Sequence, residues 1–165
     1  MERERGFDDL MAELDPSMVI VTTAAGDERS GCLVGFHSQC SIDPPRYAVW
    51  ISTANHTHGV AERATTFAVH LLPADRHDLA ELFGGRTGDD IDKLARCDWT
   101  PGVDGVPLLD ACPDRFVARR VGWLDKGTDH TGIVLEPLDA AVPGRGPWLR
   151  LRDVADVDAG HPAGG

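Results

Sequence analysis

The chain of 165 residues is 42% hydrophobic and 26% charged, close to a soluble globular average and long enough for one domain with a single core. Sixteen Lys and Arg against 27 Asp and Glu leave a formal net charge of −11. That balance argues against nucleic acid or an anionic membrane surface as partner, because both are held through a broad basic face.

Phe7, Leu10, Met11 and Leu14 fall on one helical face, and Asp15-Pro16 ends the pattern, so 1–16 reads as an N-terminal helical segment. Met18 to Ala24 is a β-branched run closed by Ala25-Gly26-Asp27, and a second run from about Gly31 completes a hairpin. Asp43-Pro44-Pro45 breaks the chain before the strand Tyr47 to Ser52, since adjacent prolines cannot donate to a ladder. A short helix is expected over His58 to Arg63, then a buried strand over Phe67 to Leu72. Leu79, Leu82 and Phe83 mark the clearest helix, with Asp75 as its N-cap and Gly84-Gly85 as its stop. From Arg86 to Pro113 the pattern predicts a long loop with a short helix at Ile91 to Leu94. Arg115 to Trp123 and His130 to Leu138 form a second hairpin across Asp125 to Asp129, and about 155–165 reads as a poorly ordered tail.

Eighteen Gly and 11 Pro imply many tight turns. Six or so short strands with two small helices predict a mainly β fold, a closed or nearly closed barrel in one domain spanning 1–165. Cys32, Cys40, Cys97 and Cys112 contain no C-x-x-C pair and are expected as reduced structural thiols. No membrane-length apolar run or signal-peptide core is visible, so the expected location is cytoplasmic.

Phe36 to Ser41 lies between a strand and a double proline. Its hydroxyls and backbone N–H groups suit the carbonyls and ring nitrogens of a flat heteroaromatic ligand, or they form an ordinary Ser/Gln turn. Asn55 and Thr57 are two apart after a strand. They are placed to donate to a phosphate or polyol, helped by a helix starting near His58, unless Thr57 only caps that helix. Arg46, Arg63 and Arg86 are the nearby candidate cations. His56 and His58 lack a third ligand at telling spacing, so no metal is expected.

Gly31 to Pro45 with its Ser-x-x-Ser and Asp-Pro-Pro, Ala54-Asn-His-Thr57 before Phe67 to Leu72, and Thr128-Asp129-His130 come in that order. Together they resemble the flavin reductase-like, FMN-binding split-barrel family over about 18–138. The resemblance implies a split β-barrel whose His37, Ser38, Gln39, Cys40 and Ser41 face the flavin, with Cys40 read as a packing residue. It implies that Ala54, Asn55, His56 and Thr57 meet its phosphate, and that Phe83 and Gly84 belong to a loop folding over it; from the residues alone, Phe83 reads equally as core. It makes His130 the catalytic residue beside flavin and nicotinamide, although Thr128 stands where the family has Gly and His130 also reads as a hairpin histidine satisfied by Asp129. The implied activity is an NAD(P)H-dependent flavin reductase, a homodimer using FMN or FAD with NADH or NADPH and supplying reduced flavin to a separate monooxygenase. A non-catalytic flavin-binding protein, or an enzyme using deazaflavin or haem, is the alternative of the same fold.

Overall fold

The computed structural model of the chain describes residues 2–85 and 91–158. Along these run α1 (Glu2–Leu14), β1 (Val19–Ala25), β2 (Glu28–Val34), β3 (His37–Ser41), β4 (Arg46–Ser52), α2 (His56–Arg63), β5 (Thr66–Leu71), α3 (His77–Gly84), β6 (Trp99–Pro101), β7 (Pro107–Leu109), β8 (Arg115–Leu124) and β9 (His130–Ala141). Short 3-10 turns cover Lys93–Arg96, Val103–Gly105 and Leu151–Val154. Seven strands make one antiparallel sheet in the order β2-β1-β5-β8-β9-β4-β3, and β6 pairs separately with β7.

The sheet is curled. Val19, Val21, Cys32 and Val34 from one end of the strand order share a core with Val49, Ile51, Ile133 and Leu135 from the other, which a flat sheet would hold apart. The ladder stays open between β2 and β3, and α2 plugs the interior, sending Ala61 and, just past its end, Ala64 into that same core. The near-closed barrel expected from strand count is therefore completed by a helix, not by hydrogen-bonded closure. A second core lies on the outer side of β1, where Met18 and Ile20 meet Leu79, Ala80 and Phe83 of α3 together with Leu109 and Leu149. Because both faces of β1 are covered, its first six residues are all buried, and its sequence is a β-branched run that does not alternate between apolar and charged residues.

Several elements differ from the sequence expectation. Phe36–Ser41 is mostly an edge strand, and the supposed loop 86–113 contains the β6–β7 hairpin, whose three-residue strands are too short to show a period. The short helix sits at Lys93–Arg96, two residues late. α2 starts at His56 because Asn55 caps it. Asp75 does not cap α3: it lies inside a turn closed by Arg76 N–H to Pro73 O at 3.0 Å, and Arg76 precedes the helix without a side-chain cap. Within the expected tail 155–165, residues 155–158 continue the packed chain with Val157 against the second core, and the remainder lies outside the described residues.

Residues 148–154 form a strap. Leu149 accepts from Met18 N–H at 2.8 Å and donates to Leu72 O at 2.7 Å, while Leu151 N–H reaches Pro16 O at 2.9 Å. Buried Asp15 receives Arg152 N–H at 2.9 Å and Arg150 Nε at 3.1 Å. Fully buried His70 donates from Nδ1 to Ile20 O and accepts Leu109 N–H at Nε2, both at 3.0 Å, so it pins β7 to β1 through β5. α1, in contrast, buries no residue, and Phe7, Leu10 and Leu14 stay more than half exposed. Among the described residues, no helix is long and apolar enough to cross a membrane.

Candidate functional site

Three sequence segments meet at one edge of the curled sheet. In the β4–β9 ladder Ser52 stands opposite His130, and just beyond it Thr53 brings both its N–H (2.9 Å) and its hydroxyl (3.3 Å) to Asp129 O. On the other side of β4, Trp50 N–H donates to Phe36 O at 2.9 Å, and the Phe36 ring lies 5.0 Å from the imidazole of His130. The β2–β3 bend, the Ser52–Asn55 turn and the start of β9 thus form one wall. Thr128 does not prevent this arrangement. The left-handed turn residue is Gly127 (φ +72°), and the Thr128 hydroxyl donates to His130 O at 3.3 Å. Asp129 Oδ1 holds His130 Nδ1 at 2.9 Å, and the same contact lowers the Asp129 carboxyl below its ordinary range.

The β3 residues split into two groups. Ser38, Gln39 and Cys40 are exposed, with Ser41 half-buried. A register shift between Gln39 and Ser41 leaves Cys40 as the bulged residue of this edge, so it faces solvent where a packing role was expected. His37 faces away. Tyr47 OH donates to its Nδ1 and its Nε2 donates to Ser17 O at 2.6 Å, and burial pushes its pKa down. Its ring ties β3 to the entrance of β1 and is not free for a ligand.

Asn55 and Thr57 are likewise engaged by the protein. Asn55 Oδ1 accepts Thr57 N–H at 2.9 Å, which makes Asn55 the cap of α2, and the fully buried Thr57 hydroxyl shares a 2.8 Å hydrogen bond with Ser30 of β2. His56 Nδ1 meets the same Ser30 at 3.1 Å, whereas His58 Nε2 meets Thr131 of β9 at 2.9 Å. The two histidines diverge to opposite partners. Ala54 sits in the turn with its N–H on Ser52 Oγ at 3.3 Å. What the segment leaves open is the N-terminal end of α2, a local concentration of backbone N–H groups and positive dipole.

That end opens into a cavity of about 490 Å³ between β2 and the 91–99 segment, lined by Arg29, Ser30, His56, Lys93 and Trp99 among others. Sequence reasoning missed Arg29, Ser30, Lys93 and Trp99, which lie outside the recognised segments; that Lys93 is one of only two lysines was the one available signal. Lys93 is 5% exposed. It donates from Nζ to Phe83 O at 2.9 Å, and burial lowers its pKa. Phe83 itself is 1% exposed in the second core, and Gly84 packs so closely on Leu33 that a Cβ there would lie 2.6 Å from Leu33 Cδ2. Both belong to α3, beneath β2 and apart from the wall. Arg46 pairs with Glu136 at 3.2 Å and Arg63 with Glu28 at 2.8 Å, so neither is a free cation at the wall; Arg86 lies outside the described residues. On the far side of α3, His77, Glu81 and Asp156 bring ligand-type atoms within 4.8 Å of one another, with His77 Nε2 already on Asp156 at 2.9 Å.

The profile of the family described as "Flavin reductase like domain" matches residues 11–151. The chain is similar to the FMN reductase (NADH) SmoA of Agrobacterium fabrum, 32% identical over 85% of this chain and 78% of that protein. It is also similar to the FMN reductase (NADH) RutF of Stutzerimonas stutzeri, 29% identical over 68% of this chain and 64% of the relative. Among solved structures, nitrilotriacetate monooxygenase component B from Mycobacterium thermoresistibile shares the fold at a TM-score of 0.75, with 23% identity, 88% of this chain and 79% of that one covered.

Proposed function

The chain belongs to the flavin reductase-like domain family, and from that premise we propose that it is an NADH-dependent flavin reductase whose FMN lies along the wall of Phe36, Ser38–Ser41, the Ser52–Thr57 turn and His130. The observation that carries this placement is the convergence itself: segments more than 70 residues apart are joined by the Thr53–Asp129 bond at an edge that still presents exposed hydroxyl, amide and aromatic groups. The donor set fits the ligand. Phe36 and His130 offer ring faces to a flat tricycle, exposed Ser38 and Gln39 offer polar groups to its rim, and the cavity at the start of α2 offers cations to a phosphate.

The bound flavin supplies the acceptor for a hydride from the nicotinamide, and the protein's part is to stack and orient the two rings. His130, fixed by Asp129, is the group placed to orient the nicotinamide. NADH is favoured over NADPH, and FMN over FAD, by the names that SmoA and RutF carry. Similarity to a monooxygenase component B supports release of reduced flavin to a separate oxygenase. We take 1–165 as one flavin reductase-like domain in a homodimer located in the cytoplasm. The unpartnered apolar stripe of α1, and the open β3 edge flanked by Phe36 at 61% and Ile42 at 85% exposure, support an interface beside the wall.

Titrating FMN against tryptophan fluorescence, then following NADH oxidation with FMN present, tests the reading. Quenching at micromolar FMN together with FMN-dependent NADH oxidation is expected. Quenching without oxidation would leave a flavin-binding protein, and neither signal at tens of micromolar, where a Kd of 1 μM corresponds to about −8 kcal/mol, would remove the flavin assignment.

A further inference from the structure

Lys93 and Lys126 are the only lysines of the chain, and the fold places them in opposite ways. Lys93 is buried and turned to the carbonyls of Phe83 and Gly31. Lys126 is exposed in the turn between β8 and β9, with its Nζ 4.4 Å from the centroid of the Trp50 ring. A cation resting on an indole is attracted to the ring and keeps its N–H donors for another partner. The ladder fixes where this pair stands. Ser52 lies opposite His130 and Trp50 opposite Gly132, and side chains two apart on a strand share a face, so Trp50 and His130 stand on the same side of the sheet. A two-residue step along the strands, about 7 Å, separates them. The indole lies against Gly132, where a Cβ would come within 2.6 Å of it, so the wall of Phe36 and His130 continues into a Trp50 ledge that carries an ammonium.

Among the described residues, Lys126 has no carboxylate within ion-pairing distance. The acidic groups of its own turn are engaged elsewhere: Asp129 holds His130 Nδ1 at 2.9 Å, and Asp125 accepts Gly127 N–H at 3.0 Å. Arg46, at the other end of β4, is taken by Glu136 at 3.2 Å. Lys126 is therefore the cation that the wall has left to offer. It stands on a chain of net charge −11, which by itself repels an anionic dinucleotide.

We propose that Lys126, steadied on Trp50, receives the diphosphate of the reductant and so sets the affinity of the protein for NADH. The proposal rests on the flavin reading above and adds to it a residue that acts on the reductant and not on the flavin. One ribose joins the nicotinamide to the first phosphate, a reach that matches the step from His130, which orients the ring, to the Trp50 ledge. An ammonium meets a phosphate as a point charge with three rotatable donors, and a side chain already resting on a ring loses less freedom in doing so than one free in water.

The test compares two reductants at saturating FMN: NADH, and N-benzyl dihydronicotinamide, which has the same reacting ring and no phosphate. Wild type, Lys126→Gln and Lys126→Arg are assayed with each, at low and high salt, and FMN affinity is titrated alongside. Lys126→Gln should raise the KM for NADH about five- to tenfold, the size of one exposed contact between a charge and a phosphate, with kcat within about twofold. The gap from wild type should narrow as salt screens the ammonium, and Lys126→Arg should recover most of it. Turnover of the benzyl reductant and FMN affinity should both stay at wild-type values. Lys126 is exposed, so its replacement should leave the melting temperature unchanged. A Lys126→Gln protein with the wild-type KM for NADH, one that slows both reductants alike, or one that loses FMN affinity instead overturns the proposal while the flavin assignment stands. A wild type that binds no FMN and oxidises neither reductant overturns both.

Discussion

His130 is held at one ring nitrogen and His70 at both, and the two serve opposite ends. His130 stands at the rim, with its Nδ1 fixed by Asp129 at 2.9 Å and its face toward Phe36. If it orients the nicotinamide, His130→Ala should slow reduction of bound FMN by about ten- to a hundredfold in stopped flow, roughly 1.4 to 2.7 kcal/mol, with FMN affinity unchanged. Equal rates would make it a hairpin residue only. His70 is sealed in. Burial pushes its pKa down from 6.5 to about 4, so above pH 6.5 it is neutral in both folded and unfolded chains and its contribution is complete. Below that, the unfolded chain takes up a proton that the native site refuses, and stability should fall as pH drops from 6.5 toward 4, by about 3 kcal/mol in all. His37, also depressed by burial, adds to the fall, and His77, raised by Asp156, opposes it. Urea midpoints between pH 7.5 and 4.5 check this, and His70→Gln should flatten the curve. The sequence set His130 beside Asp129 in a turn, but it could not tell that Asn55 and Thr57 are taken up by the cap of α2 and by Ser30, or His37 by Tyr47 and Ser17. Spacing shows which donors a segment owns, not which of them the fold has already used.

At the scale of elements, what was legible depended on length. β1, β5 and the β8–β9 hairpin announced themselves as long apolar or alternating runs bounded by turn residues. β3 did not, because His-Ser-Gln-Cys-Ser has neither β-branched residues nor alternation, and an edge strand with a bulge needs neither. One close approach fixes the geometry of this edge. The indole of Trp50 lies over Gly132 on the facing strand, where a Cβ would come within 2.6 to 2.9 Å of three ring carbons. Gly132→Ala should therefore push Trp50 out of place and destabilise the chain by about 1 to 3 kcal/mol, measured as a drop in urea midpoint with a shifted tryptophan emission. An unchanged spectrum and midpoint would mean the indole has room to move.

The whole molecule leaves its first helix unaccounted for as a monomer. A 13-residue helix is marginal in water by itself, and α1 gains no core from its own chain although its apolar stripe was plain in the sequence. Periodicity reveals the stripe and not what covers it. If a second copy covers it, light scattering should give about twice the 17.8 kDa of one chain, and Leu10→Asp should shift the protein toward the single-chain mass while far-UV dichroism keeps its β signature. A wild type at the single-chain mass at micromolar concentration would sink the dimer. The curl of the sheet was likewise only half legible. Strand number suggested closure, but the plug was a short helix whose burial depends on contacts to Ser30 and Thr131, distant in sequence on either side.

The strap over β1 has a consequence for the order in which this chain can fold during synthesis. The Arg150 and Arg152 groups that occupy Asp15 are made 135 and 137 residues after it. Until then, Met18 N–H and Leu72 O lack the Leu149 partner they hold in the finished protein, and the apolar side of β1 that faces Leu149 stays uncovered. The nascent polypeptide must therefore carry an incomplete outer layer until the 148–154 strap has been made, with the inner curl free to assemble first and the outer one waiting for the strap.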